Sequence, residues 1–112
     1  MVNKNIISIH CCTKDRWSEL YGMLITLQNQ TFKDWDLILL DESQTPITQS
    51  YFINALLNRI KLEGHKVKLL RNNISNGVCA ARQMLIDKDN FNNKYTCRLD
   101  DDVILENSYI EK

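Results

Sequence analysis

The sequence predicts an α/β fold in which helices cover both faces of a mostly parallel β-sheet. Four short apolar runs alternate along the chain with three segments of helical periodicity. The second run, at residues 37–40, is apolar on both faces, as expected of a strand buried between two layers of helices. This alternation implies right-handed crossovers between parallel strands. The predicted element order is therefore β-α-β-α-β-α-β, in one domain of 112 residues.

The first half of the chain predicts two strands and the helix between them. The β-branched run at residues 6–9 continues through Cys11 and Cys12 as a buried first strand. An amphipathic helix follows and ends near residues 29–30. Its apolar positions are Leu20, Leu24 and Leu27, with Trp17 one turn earlier. Residues 37–40 form the second strand, which ends in polar residues 41–43.

The second half predicts two more helices and two more strands. A helix at residues 48–62 is ended by Gly64, a typical C′ residue. Its predicted buried positions are Phe52, Ile53, Leu56, Leu57 and Ile60. A short strand at 67–70, a turn-rich loop at 72–77 and a helix at 78–88 come next. That third helix faces inward with Ala81, Leu85 and Val78, and Asn107 or Ser108 is predicted to cap a final helix.

Polar residues follow each predicted strand, and three consecutive carboxylates, Asp100, Asp101 and Asp102, follow the fourth. Ligands of parallel α/β sheets bind beyond the carboxyl ends of the strands. Adjacent carboxylates repel one another, so they need a cation, basic side chains or water. Mg²⁺ and Mn²⁺ are held by carboxylates together with substrate phosphates. The triplet is thus a candidate metal–diphosphate site, and an acidic turn facing water is the alternative.

Composition excludes several classes of protein. Lys plus Arg and Asp plus Glu both number 14, so no basic excess points to nucleic acid. No apolar run approaches the length of a membrane span, and the N-terminus does not resemble a signal peptide. The spacing of the 4 cysteines matches no zinc pattern. Free thiols in a reducing cytoplasm are therefore expected.

Four segments, in order, resemble motifs of the family two inverting glycosyltransferases. Residues 7–16 resemble the opening strand and its Pro-Thr-Tyr-Asn-Arg motif, and residues 27–41 resemble the helix-to-strand junction that ends in an aspartate. Residues 73–82 are similar to the Gly-x-x-x-Ala-Arg helix start. Residues 99–102 resemble the aspartate-rich metal motif. The resemblance extends from residue 6 to residue 105.

This resemblance implies a GT-A-like nucleotide-binding domain with three layers, α/β/α, and strand order 3-2-1-4. Residues 1–112 would form a single partial domain, the N-terminal donor-binding half of the enzyme. The implied nucleotide-sugar-binding residues are Cys12, Thr13, Lys14, Arg16, Asp41, Ser43, Arg82, Asp100 and Asp101. Asp41 would accept a hydrogen bond from uracil or a similar base. Asp102 would be the principal metal ligand, with Asp101 contacting the metal or the ribose.

The implied reaction is transfer of a sugar from a nucleoside-diphosphate sugar, with UDP-sugar favoured, to an unknown glycan, lipid or protein acceptor. Inversion at the anomeric carbon and a Mn²⁺ or Mg²⁺ cofactor are expected, because the leaving diphosphate needs charge neutralisation. The chain stops 10 residues after Asp102, and the acceptor half with its catalytic base is expected beyond that point. No catalytic base is assigned.

The sequence also departs from the family pattern. Cys12 replaces the usual proline and Lys14 the usual tyrosine, so a base-stacking ring is missing, although the lysine stem could pack there. The acidic residue after Asp41 is Glu42 rather than aspartate. One alternative is therefore a degenerate, non-catalytic GT-A fragment acting as a binding or assembly module. Self-association would help it to cover an open sheet edge.

A second alternative is a receiver-like phosphoacceptor domain. Such a domain needs carboxylates after strand one, where this sequence has Cys12, Thr13 and Lys14.

Other conspicuous residues are expected to have structural roles. His10, Trp17 and Trp35 are predicted to pack in the core, and His65 is predicted to be solvated. The basic stretch is predicted to be a solvated face; it comprises Lys61, Lys66, Lys68 and Arg71. No Cys–His–Asn arrangement supports a cysteine nucleophile.

Overall fold

The computed structural model describes residues 6–72, 78–106 and 110, which form a parallel four-stranded sheet flanked by helices. The strands are β1 (Ile7–Thr13), β2 (Trp35–Asp41), β3 (Val67–Arg71) and β4 (Tyr95–Arg98). The helices are α1 (Trp17–Gln28), α2 (Tyr51–Leu62) and α3 (Val78–Lys88). All neighbouring strands pair in parallel, in the order β3-β2-β1-β4. The predicted parallel sheet and strand order are confirmed.

Strand β2 is the centre of the molecule, and each of its residues is buried. Leu37 and Leu39 pack with apolar residues of α1 and α2, whereas Ile38 and Leu40 pack with Ala81 and other residues of α3. Burying one such side chain stabilises the fold by about 2 kcal/mol. Two helices therefore cover one face and α3 covers the other, which confirms the predicted three layers.

Helix α2 begins at Tyr51, three residues later than predicted, after a single 3₁₀ turn at Ile47–Gln49. Ser50 is the N-cap, and its Oγ accepts the Ile53 N–H at 3.3 Å. The prediction that Phe52 is buried is wrong, because its side chain is 66% exposed. Phe52 instead packs edge-to-face on Tyr21, with ring centroids 6.1 Å apart. The other predicted core positions of this helix are buried: Ile53, Leu56, Leu57 and Ile60.

Gly64 ends α2 as predicted. Its φ of 102° lies in the left-handed region, where an L side chain is strained. The Gly64 N–H donates to Lys61 O at 3.1 Å, and the His65 N–H donates to Ile60 O at 3.4 Å. These two bonds form a Schellman motif, which satisfies the last carbonyls of the helix and turns the chain into β3.

The two histidines are both buried. His10 lies within β1 and its Nε2 pairs with Asp89 Oδ2 at 2.8 Å, so its predicted core position is confirmed. The prediction that His65 is solvated is wrong, because it is only 5% exposed. Its ring stacks on the buried Trp35 at 3.6 Å, and its Nδ1 lies 2.5 Å from Trp35 O. The Gly64 turn directs the histidine onto the tryptophan, which sequence periodicity does not reveal.

Some predicted features lie outside the described residues. These are most of the loop at 72–77, the inward side chain of Val78 and the cap at Asn107 or Ser108. Among the helices that are described, none is both long and apolar enough to span a lipid bilayer.

Candidate functional site

The carboxyl ends of the strands lie along one edge of the sheet, and the predicted site residues follow them. Parallel pairing places the ends of β1 and β2 side by side, with Thr13 opposite Asp41, and the Glu42 N–H donates to Thr13 O at 2.8 Å. The Leu99 N–H donates to His10 O at 2.9 Å and so aligns the end of β4 with β1. This edge carries Cys12, Thr13, Lys14, Arg16, Asp41, Ser43, Asp100, Asp101 and Asp102.

Asp101 is the fixed carboxylate of the acidic triplet, at only 6% exposed. Thr13 Oγ1 donates to its Oδ2 at 2.8 Å, and Arg16 Nη1 donates to its Oδ1 at 3.1 Å. A buried carboxylate keeps its charge only when it is paired and hydrogen-bonded, and these two donors meet that need. The structure thus brings the loop after β1 into direct contact with the loop after β4.

The other two carboxylates of the triplet face solvent. Asp102 is half-exposed, and its Oδ2 lies 3.7 Å from Arg16 Nη2. Asp100 is exposed. The half-exposed Arg16 side chain also places its Nε 3.7 Å from Glu19 Oε2. Among the described residues, Arg16 is therefore the cation that pairs with Asp101 and Asp102.

Asp41 is buried, and its carboxylate organises the loop after β2. Its Oδ1 accepts the Ser43 N–H at 3.0 Å, and its Oδ2 accepts the Ile47 N–H at 2.8 Å. The two bonds close the turn that leads into the 3₁₀ segment, as aspartate side chains commonly do in loops. Asp41 thus has a structural task in addition to any contact with a base.

Arg71, the last residue of β3, holds the same loop from outside. Its Nη1 lies 3.4 Å from Asp41 Oδ2 and donates to Ser43 O, and its Nη2 donates to Gln44 O at 3.1 Å. Arg71 is exposed, as predicted for the basic stretch, and its guanidinium in addition holds this loop. Sheet order explains the contact, since β3 pairs with β2 and places Arg71 opposite Asp41.

Asp15 joins the loops after β1 and β2. Its N–H donates to Ser43 Oγ at 2.8 Å, and its Oδ1 accepts the Gln44 N–H at 3.0 Å. Asp15 adopts a φ of 55°, a left-handed conformation that aspartate tolerates better than most residues. Ser43, predicted to contact the nucleotide, therefore also fastens the two loops together.

Cys12, Glu42 and Arg82 form a second group at the same edge. Burial raises the pKa of the Cys12 thiol and the nearby Glu42 carboxylate raises it further, while Arg82 acts in the opposite direction. The neighbouring Cys11 also has a raised pKa, mainly through burial. Both cysteines are free thiols, and their raised pKa values argue against a cysteine nucleophile.

Glu42 is a candidate that the sequence analysis treated only as a departure from a pattern. Its residue is 8% exposed, yet among the described side chains none donates a hydrogen bond to its carboxylate. An ionised carboxylate in such a position favours a donor brought by a ligand. The sequence signal that could have found it is its position directly after Asp41, at the carboxyl end of β2 beside the end of β1.

The acidic triplet offers a limited donor set for a divalent cation. Within residues 6–72, 78–106 and 110, no three His, Cys, Asp or Glu side chains are grouped as a metal site of protein ligands requires. Mg²⁺ typically uses one or two carboxylates and completes its shell with water and substrate phosphates. Asp101 and Asp102 fit a cation that is bound together with a diphosphate, but they do not form a cage of their own.

The sequence was compared with models of protein families. The model described as glycosyl transferase family 2 matches residues 8–112. The chain belongs to glycosyl transferase family 2. The family excludes the receiver-like alternative, and so does the strand order, since receiver sheets have the order 2-1-3-4-5. No match was found among curated proteins.

Solved structures show the fold that this family 2 chain shares. TarS from S. aureus matches with a TM-score of 0.73 at 14% identity, over 95% of this chain and 18% of TarS. A structure of TarS 1-349 in complex with UDP matches with a TM-score of 0.73 at 13% identity, over 95% of this chain and 30% of that one. The predicted GT-A-like fold is confirmed, and the chain spans less than a third of the length of either structure.

The side chains of four predicted site residues lie outside the network of described hydrogen bonds and ion pairs at the edge: Cys12, Lys14, Arg82 and Asp100. Lys14 is exposed beside it, and Arg82 lies in α3 on the far face of the sheet, where its charge is felt by Cys12. The candidate site therefore comprises two groups of residues at this edge. One surrounds Asp101 and the other surrounds Glu42.

Proposed function

We propose that this chain is the donor-binding part of a glycosyltransferase that moves a sugar from a nucleoside-diphosphate sugar to an acceptor, with inversion at the anomeric carbon. The observation that carries the proposal is the contact of Thr13 and Arg16 with Asp101 at the carboxyl edge of the sheet. This contact sets a cationic group and two carboxylates where a diphosphate and its cation are bound in parallel α/β folds.

The residues have distinct tasks in this proposal. Arg16 pairs with the diphosphate, while Asp101 and Asp102 hold a Mn²⁺ or Mg²⁺ ion that neutralises the leaving group when bound. Asp100 faces solvent beside them and is assigned to the sugar or ribose. Cys12, Thr13 and Lys14 line the nucleotide pocket, and the Lys14 stem packs where a stacking ring would otherwise lie. Arg82 acts near the base or the diphosphate.

Base recognition is assigned to the acidic pair at the end of β2. Asp41 already accepts two backbone N–H groups, whereas Glu42 has no donor among the described residues. Glu42 is therefore proposed as the main acceptor for a base N–H, and Asp41 as the residue that shapes the pocket around it. Uracil fits because its imide nitrogen donates. The complex of S. aureus TarS 1-349 with UDP supports the choice of UDP.

The rest of the enzyme is expected beyond the residues considered above. We propose that the catalytic base and the site for the acceptor, which is a glycan, lipid or protein, lie in that part. The chain spans only 18% of the length of TarS, which supports this placement. We propose a cytoplasmic location, supported by the free thiols of Cys11, Cys12 and Cys97. Self-association through an open strand edge is assigned to the second candidate function below.

A calorimetric titration tests the donor site. UDP is titrated into the chain with and without Mn²⁺, and Asp102→Asn is expected to remove the part of the affinity that depends on Mn²⁺. Asp87→Asn is the matched control, because Asp87 is exposed near the end of α3 and, among the residues that the structure describes, accepts a hydrogen bond only from Gln83, at 2.8 Å.

Absence of UDP binding by folded wild-type chain would contradict the proposal. That result would favour the second candidate, a non-catalytic GT-A fragment that serves as an assembly module. Such a module is expected to self-associate on sedimentation while remaining indifferent to both UDP and Mn²⁺.

A further inference from the structure

Arg16 occupies the same carboxylate oxygens that a divalent cation would need. We infer that Arg16 is a positioning residue that makes cation binding depend on prior or simultaneous binding of the diphosphate. The inference rests on the proposed function and adds to it an order of events within the donor site. The observations that carry it are the contacts of Arg16 with Asp101 and Asp102 and the half-exposed position of its side chain.

Both carboxylate oxygens of Asp101 already accept hydrogen bonds. Its Oδ2 accepts from Thr13 at 2.8 Å, and its Oδ1 accepts from Arg16 at 3.1 Å. Asp102 is drawn to the same guanidinium, with its Oδ2 3.7 Å from Nη2. A small hard cation at these carboxylates would meet a unit charge already in place, and like charges a few ångströms apart repel. The cation and the guanidinium therefore compete.

The second step is that Arg16 can change partner only if another charge takes its place at Asp101. The Arg16 side chain is half-exposed, and its backbone is fixed independently, since the Leu20 N–H donates to Arg16 O at 2.9 Å at the start of α1. Among the described residues its remaining partner is Glu19, at 3.7 Å, and such an exposed pair contributes up to about 1 kcal/mol. Release of the buried Asp101 is costly unless it is paired again, and a divalent cation supplies that replacement charge.

In the third step, the Arg16 guanidinium pairs either with the carboxylates or with a diphosphate. A guanidinium forms two parallel hydrogen bonds with phosphate oxygens, and arginine is favoured wherever this geometry is available. When the diphosphate arrives, Arg16 turns toward it and releases Asp101 and Asp102. The same event places phosphate oxygens beside the freed carboxylates, which completes the oxygen shell that Mn²⁺ or Mg²⁺ requires.

Reciprocity follows from this exchange. If the nucleotide raises the affinity for the cation, the cation raises the affinity for the nucleotide by the same factor. An arginine that only stabilised the loop would have a different signature. Its removal would lower the melting temperature and would not make cation binding tighter.

The experiment measures Mn²⁺ binding by the full chain in the absence of nucleotide, from the electron paramagnetic resonance signal of free Mn²⁺. Arg16→Gln is expected to bind Mn²⁺ more tightly than wild type, by about fivefold or more. Arg59→Gln is the charge-matched control. The Arg59 side chain is exposed on α2 and, within the part of the chain that the structure describes, pairs only with Glu63, at 3.9 Å. The Mn²⁺ affinity of this variant should therefore equal that of wild type.

A second titration, with UDP present, measures the coupling. In wild type, UDP should raise the affinity for Mn²⁺. In Arg16→Gln, UDP should raise it by a smaller factor, because the competing guanidinium has already been removed. Mn²⁺ affinity that is unchanged or weaker in a folded Arg16→Gln variant would overturn the inference, even if UDP binds. Tighter Mn²⁺ binding in the variant with no UDP binding by wild type would instead overturn the proposed function and leave the competition standing.

Discussion

Asp41 and Glu42 are neighbours in the sequence, but their carboxylates have opposite surroundings. Both oxygens of Asp41 accept backbone N–H groups, at 3.0 and 2.8 Å. The Glu42 residue is only 8% exposed, and its carboxylate accepts no hydrogen bond from the described residues. A hydrogen bond to this charged acceptor therefore remains for a ligand that carries a donor. Substitution of Glu42 and substitution of Asp41 should therefore have different effects on nucleotide binding and on stability.

Glu42→Gln is expected to weaken UDP binding by about tenfold, because a hydrogen bond to a charged acceptor contributes roughly 1.5–3 kcal/mol. Discrimination between UDP and CDP should fall as well, since cytosine carries no N–H at the corresponding ring nitrogen. The melting temperature should not fall. Calorimetric titration with both nucleotides and a thermal scan measure these quantities.

Asp41→Asn serves as the contrasting variant. It replaces one acceptor oxygen with an amino group facing a backbone N–H, so it should lower the free energy of unfolding by about 1–3 kcal/mol. Selectivity for UDP over CDP should persist in whatever binding remains. A loss of selectivity in Asp41→Asn but not in Glu42→Gln would reverse the two assignments.

At the scale of elements, the loop between β2 and α2 is fixed from three sides. Asp41 holds it from within, Asp15 fastens it to the loop after β1, and Arg71 holds three of its oxygen atoms from β3. Loops that bind ligands are usually positioned by a rigid scaffold. Here the scaffold is the pairing of three adjacent strand ends.

Arg71→Met is expected to loosen this loop. The substitution keeps an aliphatic stem but removes the guanidinium, so the free energy of unfolding should fall by about 1–3 kcal/mol. Amide hydrogen exchange at Ser43, Gln44 and Ile47 should accelerate more than exchange in β2. Arg59→Met is the control and should leave these amides unchanged. Equal protection in both variants would show that Arg71 does not hold the loop.

At the scale of the whole molecule, two ionisable residues make the stability of the fold depend on pH. Burial lowers the pKa of His65, although its hydrogen bond to Trp35 O acts in the opposite direction. Burial alone would raise the pKa of Asp89, but hydrogen bonds from His10 and the Phe91 N–H outweigh it and lower the pKa. Both groups bind protons more weakly in the folded chain than in the unfolded chain, so both make stability fall as pH falls.

The free energy of unfolding should therefore decline in two stages during acidification. The first begins as pH falls through the ordinary histidine pKa of about 6.5, where unfolded His65 gains a proton that the folded ring resists. The second begins near the ordinary aspartate pKa of about 3.9 and continues through the lowered pKa of Asp89. Urea denaturation at a series of pH values measures both stages.

His65→Asn isolates the first stage of this pH dependence. The amide can keep a donor near Trp35 O but has no proton to gain, so the decline near neutral pH should disappear even though overall stability is lower. Asp89→Asn should flatten the acidic stage alone. An unchanged slope near pH 6 in His65→Asn would show that His65 is not the group responsible.

The sequence by itself determined the elements, their order and the edge that carries the site. Apolar periodicity located the strands and helices, because the spacing of apolar residues reflects which faces a segment buries. The polar residues after each strand indicated the carboxyl edge, because all strands of a parallel sheet end on the same side. The end of α2 at Gly64 was also predicted from the sequence, since few residues other than glycine adopt its conformation.

Only the tertiary structure decided which side chains meet at that edge. Arg16 and Asp101 are 85 positions apart, and Arg71 and Ser43 are 28 apart, so no local pattern relates them. The exposure of Phe52 and the burial of His65 depended likewise on where a neighbouring element packs. The spacing of apolar residues indicates which face of its helix or strand a residue occupies. The partner of each charge is set by sheet register and loop closure, which involve residues distant in the chain.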